Sequence, residues 1–293
     1  MRVWEVQTPT ESVAHIGNID FDKQAPVVPA PQRQHGAEDS NGSLRANDNK
    51  NKVSEPQLEV HFRAFRAIDE PETCAAYTAG HQQVLRDYGI ENITSNNNVW
   101  SENPNIYCVV AETIGPDGRE LVGGIRIQQA DGVYPLPVAE AVGHLDPGIH
   151  EIIASYMDEG VGELCALWNS KKVARRGISV LLVRACISII NQVGFRTLVG
   201  ICAEYTLNMF QRVGFVVNNN LGDEGMFAYP NDSYIARVLG ILDARTLDTA
   251  NQLDKDRMQS LRMAPKQNCI EESKFGQLKA NYNLHLPQST GLS

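Results

Sequence analysis

A chain of 293 residues with 42% hydrophobic content can bury a substantial core, and its length predicts one domain with tails. A formal net charge of −9 argues against general nucleic-acid binding, which needs a basic surface. Six dispersed cysteines (Cys74, Cys108, Cys165, Cys186, Cys202 and Cys269) lack paired spacing and argue against a disulfide scaffold, and no apolar run reaches membrane length. These features predict a soluble, cytoplasmic protein with reduced thiols and no membrane span.

Residues 1–57 are poor material for a core. From Gln24 to Gln57 there is almost no large apolar side chain, which predicts a disordered N-terminal tail. Order is expected from Leu58, where Leu58, Val60, Phe62 and Ala64 alternate with Glu59, His61 and Arg63, the period of a half-buried strand. Asp69-Glu70-Pro71-Glu72 reads as an acidic helix start with proline in its first turn. Cys74, Tyr77, His81, Val84, Leu85 and Tyr88 share one helical face, and Gly89 stops it. An Asn-rich loop holding Trp100 follows over residues 91–105. Residues 106–113 and 120–128 flank Gly115-Pro116-Asp117-Gly118, which predicts a β-hairpin.

Residues 130–161 are longer than an ordinary connection, and loops of that length are often functional. Pro135, Pro137 and Pro147 break the segment, and residues 149–157 suit a short helix. Residues 163–169 then form an apolar run of strand character, followed by a basic turn with Lys171, Lys172, Arg175 and Arg176. A helix opens at Gly177-Ile178-Ser179 and runs to Val193, nearly all apolar, with Arg184, Ser188 and Asn191 as one narrow polar stripe. Gly194 is the expected left-handed stop, and residues 197–202 are the next strand. Strand, helix and strand in this order predict a crossover between neighbouring parallel strands.

The turn between first strand and helix carries chemistry. Unpaired N–H groups at a helix N-terminus suit phosphate, Gly177 leaves room for a pyrophosphate, and Arg175 and Arg176 can hydrogen-bond it. The bland alternative is an ordinary solvated basic turn. Past Phe215, residues 226–229 and 234–241 are weaker strands that complete the sheet. Leu247, Ala250, Met258 and Leu261 suit one face of a terminal helix, and residues 264–293 read as frayed.

Residues 163–179, with Gly177 and Ser179 on its two small positions, resemble the pyrophosphate loop of the GNAT superfamily of acyltransferases. The segment from Ala203 to Phe215 is similar to that superfamily's "Tyr-x-x-x-Gly-Phe" ending. Gly123-Gly124-Ile125-Arg126-Ile127, the insertion, and Glu163-Leu164-Cys165-Ala166 together resemble one branch, the autoinducer synthases and long-chain N-acyl amino acid synthases. The resemblance implies an α/β fold: a GNAT-like mixed, mostly antiparallel sheet of about six or seven strands with a central parallel pair, flanked by helices. It implies an acyltransferase domain over residues 58–243, leaving a C-terminal helix and tail over 244–293. Leu167, Trp168, Asn169, Ala174, Arg175, Arg176, Gly177, Ile178 and Ser179 would then hold acetyl-CoA or a longer acyl-CoA, with no metal. An acyl carrier protein is the alternative donor, and a small-molecule primary amine the acceptor.

Three departures matter. Ala174 replaces the motif's leading Arg or Gln, Cys165-Ala166 replaces the Ser-Arg of the lactone synthases, and Phe210 replaces the tyrosine that protonates the departing thiolate. Lactone synthesis is therefore not expected, whereas acyl transfer to another amine is. Glu163 has two readings, a general base acting directly or through water and a surface carboxylate at a strand end. Tyr205 is either the substitute acid or a packed aromatic with a wet tip. Arg126 either pairs an acceptor carboxylate, as the resemblance implies, or lies on a half-exposed strand face. Cys165, with no histidine beside it in sequence, is expected to be inert. The competing class is a GNAT-like domain that binds acyl-CoA or a protein partner without turnover. The oligomeric state stays open.

Overall fold

The computed structural model describes residues 58–90, 98–273 and 276–286. The N-terminal tail expected over 1–57 and the first part of the Asn-rich loop lie outside the described residues. In chain order the elements are β1 (Leu58–Arg66), α1 (Pro71–Asp87), β2 (Ile106–Gly115), β3 (Gly118–Gln129), α2 (Pro137–Val142), α3 (Gly148–Ser155) and β4 (Val161–Asn169). They continue as α4 (Ile178–Ser188), α5 (Ile190–Val193), β5 (Thr197–Ala203), α6 (Leu207–Arg212), β6 (Val216–Val217), β7 (Met226–Ala228), β8 (Ile235–Ile241), α7 (Gln252–Met263), β9 (Lys266–Ser273) and β10 (Gly276–Asn283).

All strands join one mixed sheet in the order β6-β8-β5-β4-β3-β2-β1-β10-β9, with β7 on β8. The expected central parallel pair is β4 and β5. Most other pairings are antiparallel, and the β2–β3 hairpin closes on Gly115 opposite Gly118. Among the described residues the sheet has ten strands rather than about six or seven. The end read as frayed accounts for part of the excess, because β9 and β10 form a hairpin and β10 runs parallel beside β1. Leu278, Ala280 and Tyr282 face the core, and Tyr282 stacks on Phe62 with ring centroids 4.9 Å apart. Their polar neighbours hide this alternation from a reading by composition alone.

Strand alternation divides the sheet into two faces. Val109, Ala111, Ile125, Ile127 and Leu164 face α4 and share a core with Ala244, Leu247, Met258 and Leu261. Residues after 243 thus belong to the same core as the rest. Leu247 and Ala250 precede α7 instead of lying on it. The opposite face carries two smaller clusters, one under α1 (Cys74, Tyr77, Trp100, Cys108, Trp168) and one under α2 and α3 (Val138, Ile149, Val161, Val199).

The polar stripe of α4 is where α7 docks. Arg184 donates to the wholly buried Asp254 at 2.6 Å, and Ser188 bonds the Met258 carbonyl at 3.2 Å. The long helix expected to Val193 is interrupted at Ile189 and ends on left-handed Gly194, φ 94°.

Candidate functional site

Pairing between β4 and β5 is short. It covers only Val161 to Glu163 against Thr197 to Val199. Beyond that vertex β4 stays with β3 as far as Asn169, while β5 continues along β8 to Ala203. The two central strands therefore part, leaving an opening between residues 165–169 and 201–203; at its vertex a Cβ on Gly200 would still stand 3.1 Å from the Leu164 carbonyl oxygen.

A bulge in β4 bends this opening's wall. Arg126 faces Cys165 and Gly124 faces Trp168, so one residue of β3 is matched by both Ala166 and Leu167. Ala166 takes the left-handed φ of 52° that the extra residue requires. The inserted residue shifts the alternation, placing Leu167 on the α4 side and Trp168 in the α1 cluster. Tyr77 of α1 donates its hydroxyl to the Ala166 carbonyl.

The loop after β4 leads to the start of α4. Gly177 caps the helix in the left-handed region (φ 81°) and, as a glycine, supplies no capping side chain. The leading N–H groups, from Ile178 onward, have no intrahelical acceptor. Ser179 donates to the Asn169 side-chain oxygen at 2.5 Å, tying the helix start to the end of β4. Buried Val173 anchors the loop, while Ala174 and Arg175 are exposed and Arg176 is half-buried. Lys171 and Lys172 are engaged by Asp87 and Glu120 at 3.1 and 2.5 Å. The left-handed turns at Arg175 (φ 66°) and Gly177 turn this basic segment onto the helix N-terminus, an arrangement suited to a phosphate group.

On the α1 and α2 side, a polar seam separates the two apolar clusters. Glu163 is completely buried at the vertex, not a surface carboxylate. Its Oε2 accepts the Val138 N–H at 2.7 Å, and its Oε1 has no hydrogen-bond partner among the described residues. Burial pushes this carboxyl from its ordinary 4.5 to about 8, against the pull of the Arg126 cation. Arg126 is 1% exposed, which overturns the half-exposed reading. Its Nε donates to Cys165 Sγ at 3.4 Å, and its guanidinium stands 4.4 Å over the Trp100 ring. Gln128 donates to the Pro135 carbonyl at 2.9 Å, so Gln128 and Glu163 together fasten the insertion to the sheet.

Burial raises the Cys165 thiol to about 11, as expected of an inert cysteine. His144 and His150 are both exposed. Phe210 is buried edge-on against Phe215, centroids 5.4 Å apart.

The predicted residues fall into three groups. Asn169 and residues 174–179 meet at the loop. Arg126 and Glu163 meet in the seam, while Trp168 turns its side chain away from the loop. Tyr205 stands apart, 39% exposed in the turn after β5. Val199, opposite Glu163, is four residues from the end of β5, roughly 13 Å of strand. Glu163 and Tyr205 are thus not brought together. Sequence reasoning missed the roles of Tyr77 and Trp100. Their one signal was Gly123-Gly124: a Cβ at Gly124 would stand 2.3 Å from Tyr77 Cε2, so the glycine makes room for that ring.

Compared by sequence, the chain matches no family model and no curated protein. Among solved structures it is similar to FeeM, an N-acyl amino acid synthase from uncultured soil microbes. That match has a TM-score of 0.49 and 12% identity, covering 68% of this chain and 98% of that one. It is also similar to BjaI, a CoA-dependent acyl-homoserine lactone synthase with SAM and isopentyl-CoA, with TM-score 0.45, 14% identity, and 70% and 90% coverage. An acetyltransferase of the GNAT family from Streptococcus pneumoniae gives 0.42, 15%, and 63% and 99%.

Proposed function

We propose that this protein is an N-acyltransferase that moves an acyl group from a coenzyme A thioester, or an acyl carrier protein thioester, to a primary amine. One observation carries the reading. The central parallel strands part just beyond Glu163, and the opening's β4 wall runs into a basic, Gly-capped helix N-terminus. A thioester has an extended, amide-bearing arm and, in coenzyme A, a pyrophosphate. Unpaired strand edges suit the arm, and the N–H groups of residues 178–180 with Arg175 and Arg176 suit the phosphates.

The chemistry follows from the remaining groups. Attack needs a neutral amine, and Glu163, its carboxyl pushed up to about 8, takes that proton in its ionised form, so turnover should rise as pH approaches 8. Glu163 is the base, with Oε1 as the atom left open for that proton or for a relaying water. The Leu167 N–H, outside the strand ladder, polarises the thioester carbonyl. The amine nitrogen bonds to the carbonyl carbon, the carbon–sulfur bond breaks, and solvent returns a proton to the thiolate. Arg126 receives a carboxylate of the acceptor.

Calorimetry against coenzyme A, acetyl-CoA and a long-chain acyl-CoA tests the binding half, with Arg175→Ala/Arg176→Ala as control. Micromolar binding that the double variant loses is the expected result. Thiol release that requires an added amine, and that Glu163→Gln lowers by about a hundredfold or more, tests the catalytic half. A second reading, a domain that binds acyl-CoA without turnover, is favoured by the burial of Phe210 against Phe215 where a hydroxyl is expected. Tight binding with no amine-dependent thiol release would select it.

A further inference from the structure

We infer that Tyr77 is a positioning residue for the acyl transfer proposed above, holding the β4 bulge so that the Leu167 N–H is presented to the thioester. The inference rests on that reading of the function and on four features of the fold.

First, the Tyr77 hydroxyl donates to the Ala166 carbonyl, drawing that oxygen out of the sheet toward α1. A trans peptide is planar with its C=O and N–H opposed. The Leu167 N–H of the same peptide must then point away from Tyr77. Second, the bulge needs holding. Ala166 lies at φ 52°, which a residue with a Cβ adopts only under constraint.

Third, the tyrosine is itself fixed. Its ring is 1% exposed and packs edge-on against Trp100 and Trp168, with centroids 5.5 and 5.8 Å away. Glycines make space for Tyr77 and for Trp168. A Cβ at Gly124 would collide with Tyr77, and one at Gly80 would stand 2.2 Å from Trp168 Cη2. Fourth, burial raises the phenol well above its ordinary range, so the hydroxyl stays a donor throughout the working pH range.

Tyr77 touches neither substrate, and its effect on the rate passes through the peptide it orients. Tyr77→Phe keeps the ring and removes the one bond. Steady-state kinetics on the full chain, with acyl-CoA varied and amine saturating, are expected to show kcat reduced about tenfold. A misaligned oxyanion donor costs less than the hundredfold or more of a deleted one, and KM should stay within about twofold. A purely structural loss would lower the active fraction and melting temperature without moving the Leu167 peptide.

The second readout needs no turnover. In protein labelled with ¹⁵N-leucine, the Leu167 amide is identified by its absence from Leu167→Ile. It is expected to shift and to exchange faster in Tyr77→Phe, while Leu198 and Leu239 amides stay put. An unchanged Leu167 amide, or an unchanged kcat, overturns the inference. If the unsubstituted protein releases no thiol with any amine, the functional reading fails and the catalytic part of this inference fails with it. The amide signal then decides separately whether Tyr77 holds the bulge.

Discussion

The Glu163 carboxylate accepts the Val138 N–H at 2.7 Å, joining the vertex of the parting strands to the first turn of α2. That bond takes one oxygen and leaves the other buried without a partner among the described residues. The same side chain therefore fastens the insertion and keeps a buried acid.

A pH dependence of stability follows. The folded carboxyl titrates at about 8 against an ordinary 4.5. Between these values the unfolded chain has released a proton that the folded chain still holds, so stability falls as pH rises from about 4.5 through 8. Glu163→Gln keeps an oxygen for Val138 and cannot ionise. Its melting temperature relative to the unsubstituted protein should therefore rise between pH 5 and pH 8.5, as thermal unfolding at both values would show.

His81 gives the opposite slope. Burial, with the Arg126 cation, lowers this imidazole from 6.5 to about 4. Below about 6.5 the unfolded chain takes up a proton that the folded one refuses, so this contribution weakens as pH falls toward 4. Urea midpoints at pH 7 and pH 4.5 should differ less in His81→Gln than in the unsubstituted protein.

Asp254 is 0% exposed and is contacted by Arg184 at 2.6 Å and Arg212 at 3.3 Å. Asp254→Ala would take from the buried Arg184 its shorter ion pair, leaving Glu271 at 3.4 Å, and destabilise the protein by about 3 kcal/mol. Replacing the three charged groups together, as Arg184→Met/Asp254→Leu/Glu271→Gln, should lose much less. Chemical denaturation of the three proteins checks this.

Gly124→Ala tests the clearance around Tyr77. The added methyl would stand 2.3 Å from Tyr77 Cε2 and 3.3 Å from Trp168 Nε1, so the aromatic cluster must shift. A loss of about 1–3 kcal/mol is expected. Gly115→Ala, where a Cβ meets nothing within 4 Å, should be close to neutral in the same assay.

Much of this architecture is legible locally. The β4–α4–β5 crossover is written in an apolar run, a left-handed glycine at each end of the helical segment and a second apolar run. The β2–β3 hairpin is written in its turn residues. What resists reading depends on distant partners. Alternation puts Arg126 opposite Ile125 and Ile127, but only Trp100 and α1 arriving over that face make it buried. The bulge has no glycine to announce it, since Ala166 is held in the left-handed region by Tyr77, far away in sequence. Glu163 looks like a strand-end acid until the insertion folds back and covers it. The last strand, β10, carries Leu278, Ala280 and Tyr282 singly among Lys, Gln and Asn, too thinly for a local pattern to outweigh its polarity.

The placement of β10 has a consequence for how the chain is made. β1 lies between β2 and β10, and Asn281 reaches Glu59 across 222 positions of sequence. On the ribosome, the side of β1 that will receive β10 waits bare until nearly the whole described chain has emerged. An unpaired strand flank of that kind is a template for intermolecular pairing. The nascent protein thus passes through an adhesive interval that the finished fold no longer displays at β1, and chaperone supply during synthesis should govern the yield of soluble protein.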